Sequence, residues 1–248
     1  MKKILAAVLA AALCPLAAMA WYGPVSDAKE QVAAIVRARA KWEPSVPGAD
    51  TVGFLVTDLD HNGRLEVLVS DFGGTGLYTY TDGYEVSEDR TTVVRITKTW
   101  GEGRSEADIM SKKKVRAYTD GISGIDWYVL TDLLRDGREY HHSLSALSLQ
   151  NGKWVTRPLA NAFTYYDDEG GEHTAYENGD GATISEKEFQ STERRLFARY
   201  ERADVTFAWL MYHADTYGDD WLSADDETIK ERLLNSYRAF ADAETEER

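Results

Sequence analysis

The 248-residue sequence has one cysteine, five prolines and, beyond its N-terminal segment, no long apolar run. The cysteine, Cys14, lies inside that segment, so the rest of the chain cannot form an internal disulfide. A spanning helix needs about 20 consecutive apolar residues. We therefore predict no membrane span, and a fold that depends on its apolar core and on any ion that it binds.

Basic residues are also scarce, with 28 Lys and Arg against 42 Asp and Glu and a formal charge of −14. Nucleic-acid binding depends on Lys and Arg contacts to phosphates, so we predict no nucleic-acid partner. The short basic run at 112–114 is interpreted as a solvated face. The sequence also lacks G-x-S-x-G, H-E-x-x-H, phosphate-loop and dinucleotide-binding motifs, so no enzyme class is indicated.

The first 20 residues have the pattern of a secretory signal peptide. Two lysines precede an apolar run that ends in Ala18-Met19-Ala20, a small-x-small cleavage site. Cys14 follows Leu13 rather than a small residue, which disfavours lipid attachment. We predict cleavage after Ala20 and a periplasmic or secreted protein.

Residues 21–248 are predicted to form a single α+β domain. Apolar residues at helical spacing predict an N-terminal helix over 26–42, with Ser26 as its N-cap. Short β-rich runs over 51–157 predict an antiparallel meander. Its predicted tight turns are Asn62-Gly63, Asp82-Gly83, Asp136-Gly137 and Asn151-Gly152.

A helical pair is predicted for the C-terminal part, 185–240. Ser185 and Glu188 form a capping-box pattern. The apolar stripe of the first helix is predicted to continue as far as Leu210. The second helix is predicted to start near Asp225, with Ser223 as its cap. The sequence does not indicate the oligomeric state.

The most informative stretch, residues 58–66, reads DLDHNGRLE. Calcium loops supply oxygen from side chains at positions 1, 3 and 5, a backbone carbonyl at 7 and a side chain or water at 9, with glycine at 6. Gly63 occupies position 6. We predict a Ca²⁺ site whose ligands are Asp58, Asp60, Asn62, the Arg64 carbonyl and Glu66.

Position 12 is Val69 rather than glutamate, and both flanks are predicted strands, so the loop is EF-hand-like without being an EF-hand. The stretch resembles the strand-loop-strand calcium hairpins of FG-GAP and integrin-type repeats. It also resembles the single hairpin of this kind in uncharacterised secreted bacterial proteins. The resemblance covers roughly residues 54–81 and implies calcium binding. The alternative is a polar turn whose aspartates cap their own backbone.

We therefore expect a secreted or periplasmic calcium-binding module that recognises a protein or a glycan. The alternative is a secreted hydrolase whose carboxylates are scattered in the sequence. Trp127 and Trp209 are expected in the core. Aromatic side chains near turns can serve as ligand platforms, and the tryptophans expected to do so are Trp100, Trp154 and Trp221.

Overall fold

The computed structural model describes residues 25–48, 50–73, 78–98, 114–136 and 139–243. The signal segment 1–20 and Trp100 lie outside these residues. The helices are α1 Ala28–Arg37, α2 Arg39–Trp42, α3 Glu186–Leu196, α4 Ala214–Tyr217 and α5 Asp226–Ala243, with a π-helical turn at Gly218–Leu222. The strands are β1 Thr51–Thr57, β2 Glu66–Gly73, β3 Tyr78–Val86, β4 Val93–Arg95, β5 Thr97–Lys98, β6 Lys114–Thr119, β7 Asp126–Asp136, β8 Glu139–Gln150, β9 Lys153–Tyr166, β10 Glu172–Asn178, β11 Glu201–Thr206 and β12 Leu210–His213.

The strands form two sheets, and the predicted α+β class is confirmed. The first sheet has the order β12-β1-β2-β3-β4, with antiparallel neighbours. The second has the antiparallel order β10-β9-β8-β7-β6-β11, and β5 pairs in parallel with β9. Among the described residues, no helix is long and apolar enough to cross a bilayer.

One apolar core joins both sheets to the flanking helices. It includes Ile35 from α1, Leu55 from β1, Leu130 from β7 and Leu233 from α5, each at most 1% exposed. A smaller cluster lies where α3 covers the second sheet, with Phe197 stacked on Tyr118 at a centroid distance of 4.4 Å. The main core places the loop between β1 and β2 beside both α1 and the second sheet.

The Asn151-Gly152 turn is confirmed, because Gln150 pairs with Lys153 and both turn residues have positive φ. The Asp82-Gly83 prediction is wrong, since both residues lie inside β3. A Cβ on Gly83 would lie 2.8 Å from Ile96 Cδ1 and 2.9 Å from Trp154 Cζ2. Close packing, rather than a turn, therefore explains this glycine.

The other two predicted turns differ in position. The β1–β2 connection is an eight-residue loop, because the last strand pair before it is Thr57 with Glu66. Asp136 is the last residue of β7 and pairs with Glu139, so it is a strand residue rather than a turn residue, and Gly137 lies outside the described residues. The meander also continues beyond residue 157, as far as Asn178 at the end of β10.

The prediction of continuous helix in the C-terminal part is wrong. The first helix ends at Leu196, and the segments that follow pair as strands, β11 with β6 and β12 with β1. Two open sheet edges were available to these segments, and strand pairing satisfied their backbone groups. Their apolar residues fit helical spacing by coincidence.

Of the three predicted helix caps, one is confirmed. The Ser185–Glu188 capping box is confirmed. Helix α5 is capped by Asp225, whose side chain accepts from Thr228 N at 2.8 Å, so the Ser223 prediction is wrong. The first helix has Asp27 rather than Ser26 at its N-cap position.

Two of the tryptophans expected at a ligand surface are buried. Trp154 is 2% and Trp221 0% exposed, so neither can stack on a ligand. Trp127 and Trp209 are partly buried at the margins of the two apolar clusters.

Candidate metal centre

The loop between β1 and β2 brings three of the predicted ligands together. One carboxylate oxygen from each of Asp58, Asp60 and Glu66 lies within 4.8 Å of the others. Calcium–oxygen distances are about 2.3–2.6 Å, so two ligands on opposite sides of one ion are about 4.6–5.2 Å apart. The three oxygens can therefore share one calcium coordination sphere.

Two of these carboxylates are buried and incompletely satisfied. Asp58 is 4% and Glu66 0% exposed. Glu66 Oε2 accepts from Thr57 Oγ1 at 2.9 Å and from Leu59 N at 2.8 Å. Asp58 Oδ1 and Glu66 Oε1 have no hydrogen-bond partner among the described residues. Buried polar atoms are rarely left in this state, because an unsatisfied one destabilises the fold by about 1–3 kcal/mol.

The electrostatics of the loop favour protonation when no cation is present. Burial raises the pKa of Asp58 to about 7, and the neighbouring charge of Asp60 adds to this effect. Burial and Glu85 raise the pKa of Asp60 to about 6. Burial, with Asp58 and Asp60, raises the pKa of Glu66 well above its ordinary value. A proton or a cation must therefore offset the mutual repulsion of these groups.

Asn62 and Arg64 have other partners in this arrangement. Asn62 Nδ2 donates to Asp60 Oδ2 at 3.0 Å and to Glu85 Oε1 at 2.6 Å, while its Oδ1 accepts from Arg64 N at 2.8 Å. Arg64 Nη2 lies 2.8 Å from Glu85 Oε2. The Asn62 oxygen has a second lone pair that can serve as a ligand while this hydrogen bond is kept.

Glu85 is a residue of the site that the sequence reasoning missed. It lies opposite Glu66 across the β2–β3 pair, and its side chain is 8% exposed. Its negative charge is paired with Arg64, and its oxygens hold both Arg64 and Asn62 beside the loop. No local pattern in the sequence points to Glu85, because the contact depends on the strand register.

Gln31 of α1 is the second missed residue. This fully buried side chain accepts from Leu65 N at 2.9 Å and donates to Gly63 O at 2.8 Å, which fixes the second half of the loop to the helix. Its position on the apolar stripe, three residues after Ala28, was a signal available in the sequence.

Substitution of Gln31 by alanine is expected to lower the free energy of unfolding by about 2 kcal/mol. It leaves Leu65 N and Gly63 O without their partner, and each such group costs about 1–3 kcal/mol when buried. Urea denaturation measures the loss. The control is Gln190→Ala on α3, an exposed residue that bonds Glu186 within its own helix, with an expected change within about 0.5 kcal/mol. Equal losses in both variants would show that Gln31 does not hold the loop.

The second sheet also contacts the loop. Tyr128 of β7 donates its hydroxyl to Leu59 O at 2.8 Å. His61, which has φ +50°, places its Nε2 atom 3.6 Å from Asp126 Oδ2. Burial lowers the pKa of His61 to about 4, so its ring is neutral at pH 7. The loop is thus held between both sheets and α1.

The acidic stretch at 164–173 differs from this loop. Asp167 there accepts from Gly171 N at 2.7 Å and lies 2.7 Å from His173 Nε2. The stretch is mostly exposed, and its neighbour Asp168 is a useful control for loss of an acidic charge.

Comparison of the chain with protein-family models, with curated proteins and with solved structures finds no match. Inferences about function therefore depend on the chemistry of the described residues.

Proposed function

We propose that this protein is a calcium-binding module in which the ion stabilises the β1–β2 loop. The carrying observation is the pair of buried, unpartnered oxygens, Asp58 Oδ1 and Glu66 Oε1, beside Asp60. A hard cation with flexible coordination offers both oxygens a partner and offsets the repulsion among the three carboxylates. The Asn62 side chain and the Arg64 carbonyl would complete the oxygen set.

The role proposed for calcium is structural. The loop contacts α1 and both sheets, so an ion that orders the loop also supports these contacts. Asp58 and Glu66 are too deeply buried for a substrate to reach them, which favours a bound ion over catalysis at this cluster.

The proposal includes export, with recognition of a protein or glycan outside the cytoplasm. Extracellular calcium modules bind with Kd of about 10⁻⁴–10⁻³ M, and the lysine-apolar-AxA start is consistent with that compartment. Mass spectrometry of the native protein is expected to find Trp21 as its N-terminus.

Calcium at 10 mM is expected to stabilise the wild-type protein by about 1.4 kcal/mol if Kd is near 1 mM. For a domain of this size that is a rise in Tm of about 3–6 °C. Magnesium should raise the Tm less than calcium does, because it requires a tighter octahedral geometry and loses its bound water reluctantly. Thermal melts with each ion and calorimetric titration measure the effect.

Asp60→Ala is expected to abolish the calcium response, because it removes one of the three clustered carboxylates. Asp168→Asn, which removes an exposed acidic charge, should retain the full response. If the wild-type protein binds no calcium at millimolar concentrations, or if Asp60→Ala responds as the wild-type protein does, the loop is a polar turn and the proposal fails.

A further inference from the structure

A cleft of about 310 Å³ lies on the face of the second sheet that carries α3. This volume is near the lower end of the range for ligand pockets, about 300–1,000 Å³. The side chains that line it are Lys114, Arg116, Val129, Thr131, Arg202 and Asp204.

The strand register explains why these residues meet. Arg116 of β6 lies opposite Asp204 of β11 on one side and opposite Val129 of β7 on the other. Side chains two positions apart on a strand share a face, which adds Lys114 and Arg202 to the same surface. The cleft is therefore a property of three adjacent strands.

The two arginines are oriented by carboxylates but not saturated by them. Arg116 Nη2 lies 2.8 Å from Glu193 Oε2 of α3, and Tyr118 donates its hydroxyl to Glu193 Oε1 at 2.7 Å. Arg202 Nη2 donates to Asp204 at 3.1 and 3.2 Å. A guanidinium has five N–H donors in a fixed plane, so each arginine keeps donors that these contacts do not use.

Lys114 gives the cleft its excess of positive charge. Its side chain is exposed, and its ammonium group has no hydrogen-bond or ion-pair partner among the described residues. With one carboxylate on each arginine, three cations face two anions. The sequence prediction of a solvated face at 112–114 did not anticipate that Lys114 meets two arginines.

We propose that this cleft binds an oxyanion, the carboxylate, sulfate or phosphate group of a small ligand such as an acidic sugar. Arginine forks bind planar oxyanions in pairs of parallel hydrogen bonds, and lysine adds a point charge. Thr131 supplies a hydroxyl at the cleft wall. The inference rests on the proposed role as a binding module and specifies its ligand class. It does not depend on the calcium site.

The test is a titration of the full-length mature protein, freed of metal ions on a chelating resin and held in a chelator-free buffer without oxyanions, followed by amide chemical shifts in nuclear magnetic resonance. The probes are methyl glucuronide, inorganic phosphate and sulfate, with methyl glucoside as the neutral match for the first. Saturable shifts centred on β6, β7 and β11 are expected with the anions and not with methyl glucoside. Glucuronide binding tighter than phosphate binding would indicate an acidic sugar, and the reverse order a free phosphate or phosphate ester.

Variants distinguish anion binding in the cleft from non-specific attraction of anions to positive charge. Lys114→Gln is expected to weaken anion binding about tenfold, as expected for loss of one charge-assisted hydrogen bond. Arg157→Gln, an exposed arginine of β9 outside the cleft, should leave affinity within about twofold. Asp204→Asn should strengthen binding several-fold, because it removes the carboxylate that competes for Arg202.

Three results would overturn the inference: no saturable shift with any anion, equal weakening by Lys114→Gln and Arg157→Gln, or unchanged binding in both Lys114→Gln and Asp204→Asn. Removing metal ions before the titration keeps this outcome separate from the calcium proposal, since either can fail while the other holds.

Discussion

Replacing Glu66 with glutamine is expected to stabilise the protein in EDTA and to abolish its response to calcium. The two effects have opposite signs because the same carboxylate repels its neighbours in the absence of an ion and binds the ion when it is present. In EDTA we expect the free energy of unfolding to rise by about 1–3 kcal/mol, the range for an unsatisfied buried group.

The geometry makes glutamine the informative substitute. The glutamine oxygen can keep the hydrogen bonds from Thr57 Oγ1 and Leu59 N that Glu66 Oε2 now accepts. Its amide nitrogen then takes the place of the unpartnered Oε1 and brings a donor into the cluster that contains the unpartnered Asp58 Oδ1. The variant thus removes one charge and one unpartnered acceptor without changing the size of the side chain.

The measurements are thermal melts in EDTA and in 10 mM calcium, with Glu177→Gln of β10 as a control for loss of a glutamate charge at a site outside the cluster. Calcium should raise the Tm of both the wild-type protein and Glu177→Gln. If the Glu66→Gln protein is less stable than wild type in EDTA and its Tm still rises with calcium, the Glu66 carboxylate neither destabilises the calcium-free protein nor binds calcium.

The features that were predicted correctly are formed by residues that lie close together in the sequence. The Asn151-Gly152 turn needs two residues that accept positive φ, and the Ser185–Glu188 box needs two side chains three positions apart. Likewise, the clustering of Asp58 and Asp60 follows from local spacing. No distant contact is required to form any of these features.

The features that the sequence did not predict depend on contacts between distant segments. The Asp82-Gly83 pair is typical of a turn, but the glycine is needed because Ile96 and Trp154 pack closely against it. Glu85 joins the site only through the register of β2 against β3. The segment at 201–206 has helical spacing, but β6 presents an edge with which it pairs. In each case a tertiary partner decides between two locally acceptable conformations.

In EDTA, the protein is expected to lose stability between pH 6.5 and 8.5, by on the order of 1 kcal/mol through Asp58 alone, with Glu66 acting in the same direction. The carboxyls of Asp58 and Glu66 have a raised pKa in the folded protein, about 7 for Asp58. The unfolded chain ionises near pH 4, so the stability from holding these protons is present at low pH and is lost as the pH rises through the folded values. Burial lowers the pKa of His61 to about 4, so its titration makes stability rise with pH, but only below the unfolded value of about 6.5. The pH window therefore starts at 6.5, where His61 no longer contributes.

Calcium should reverse this trend, because it competes with protons for the same oxygens and binds more tightly once they are ionised. The stabilisation by 10 mM calcium is therefore expected to be larger at pH 8.5 than at pH 6.5. Urea denaturation at both pH values, with EDTA or with calcium, measures both effects. In Glu66→Gln the fall in EDTA should be smaller, since one of the two titrating groups is gone, and the calcium increment should be absent at both pH values. A wild-type protein whose stability in EDTA is constant or rises across this window would show that the cluster does not hold protons, and a calcium increment that shrinks as the pH rises would exclude these carboxylates as its ligands.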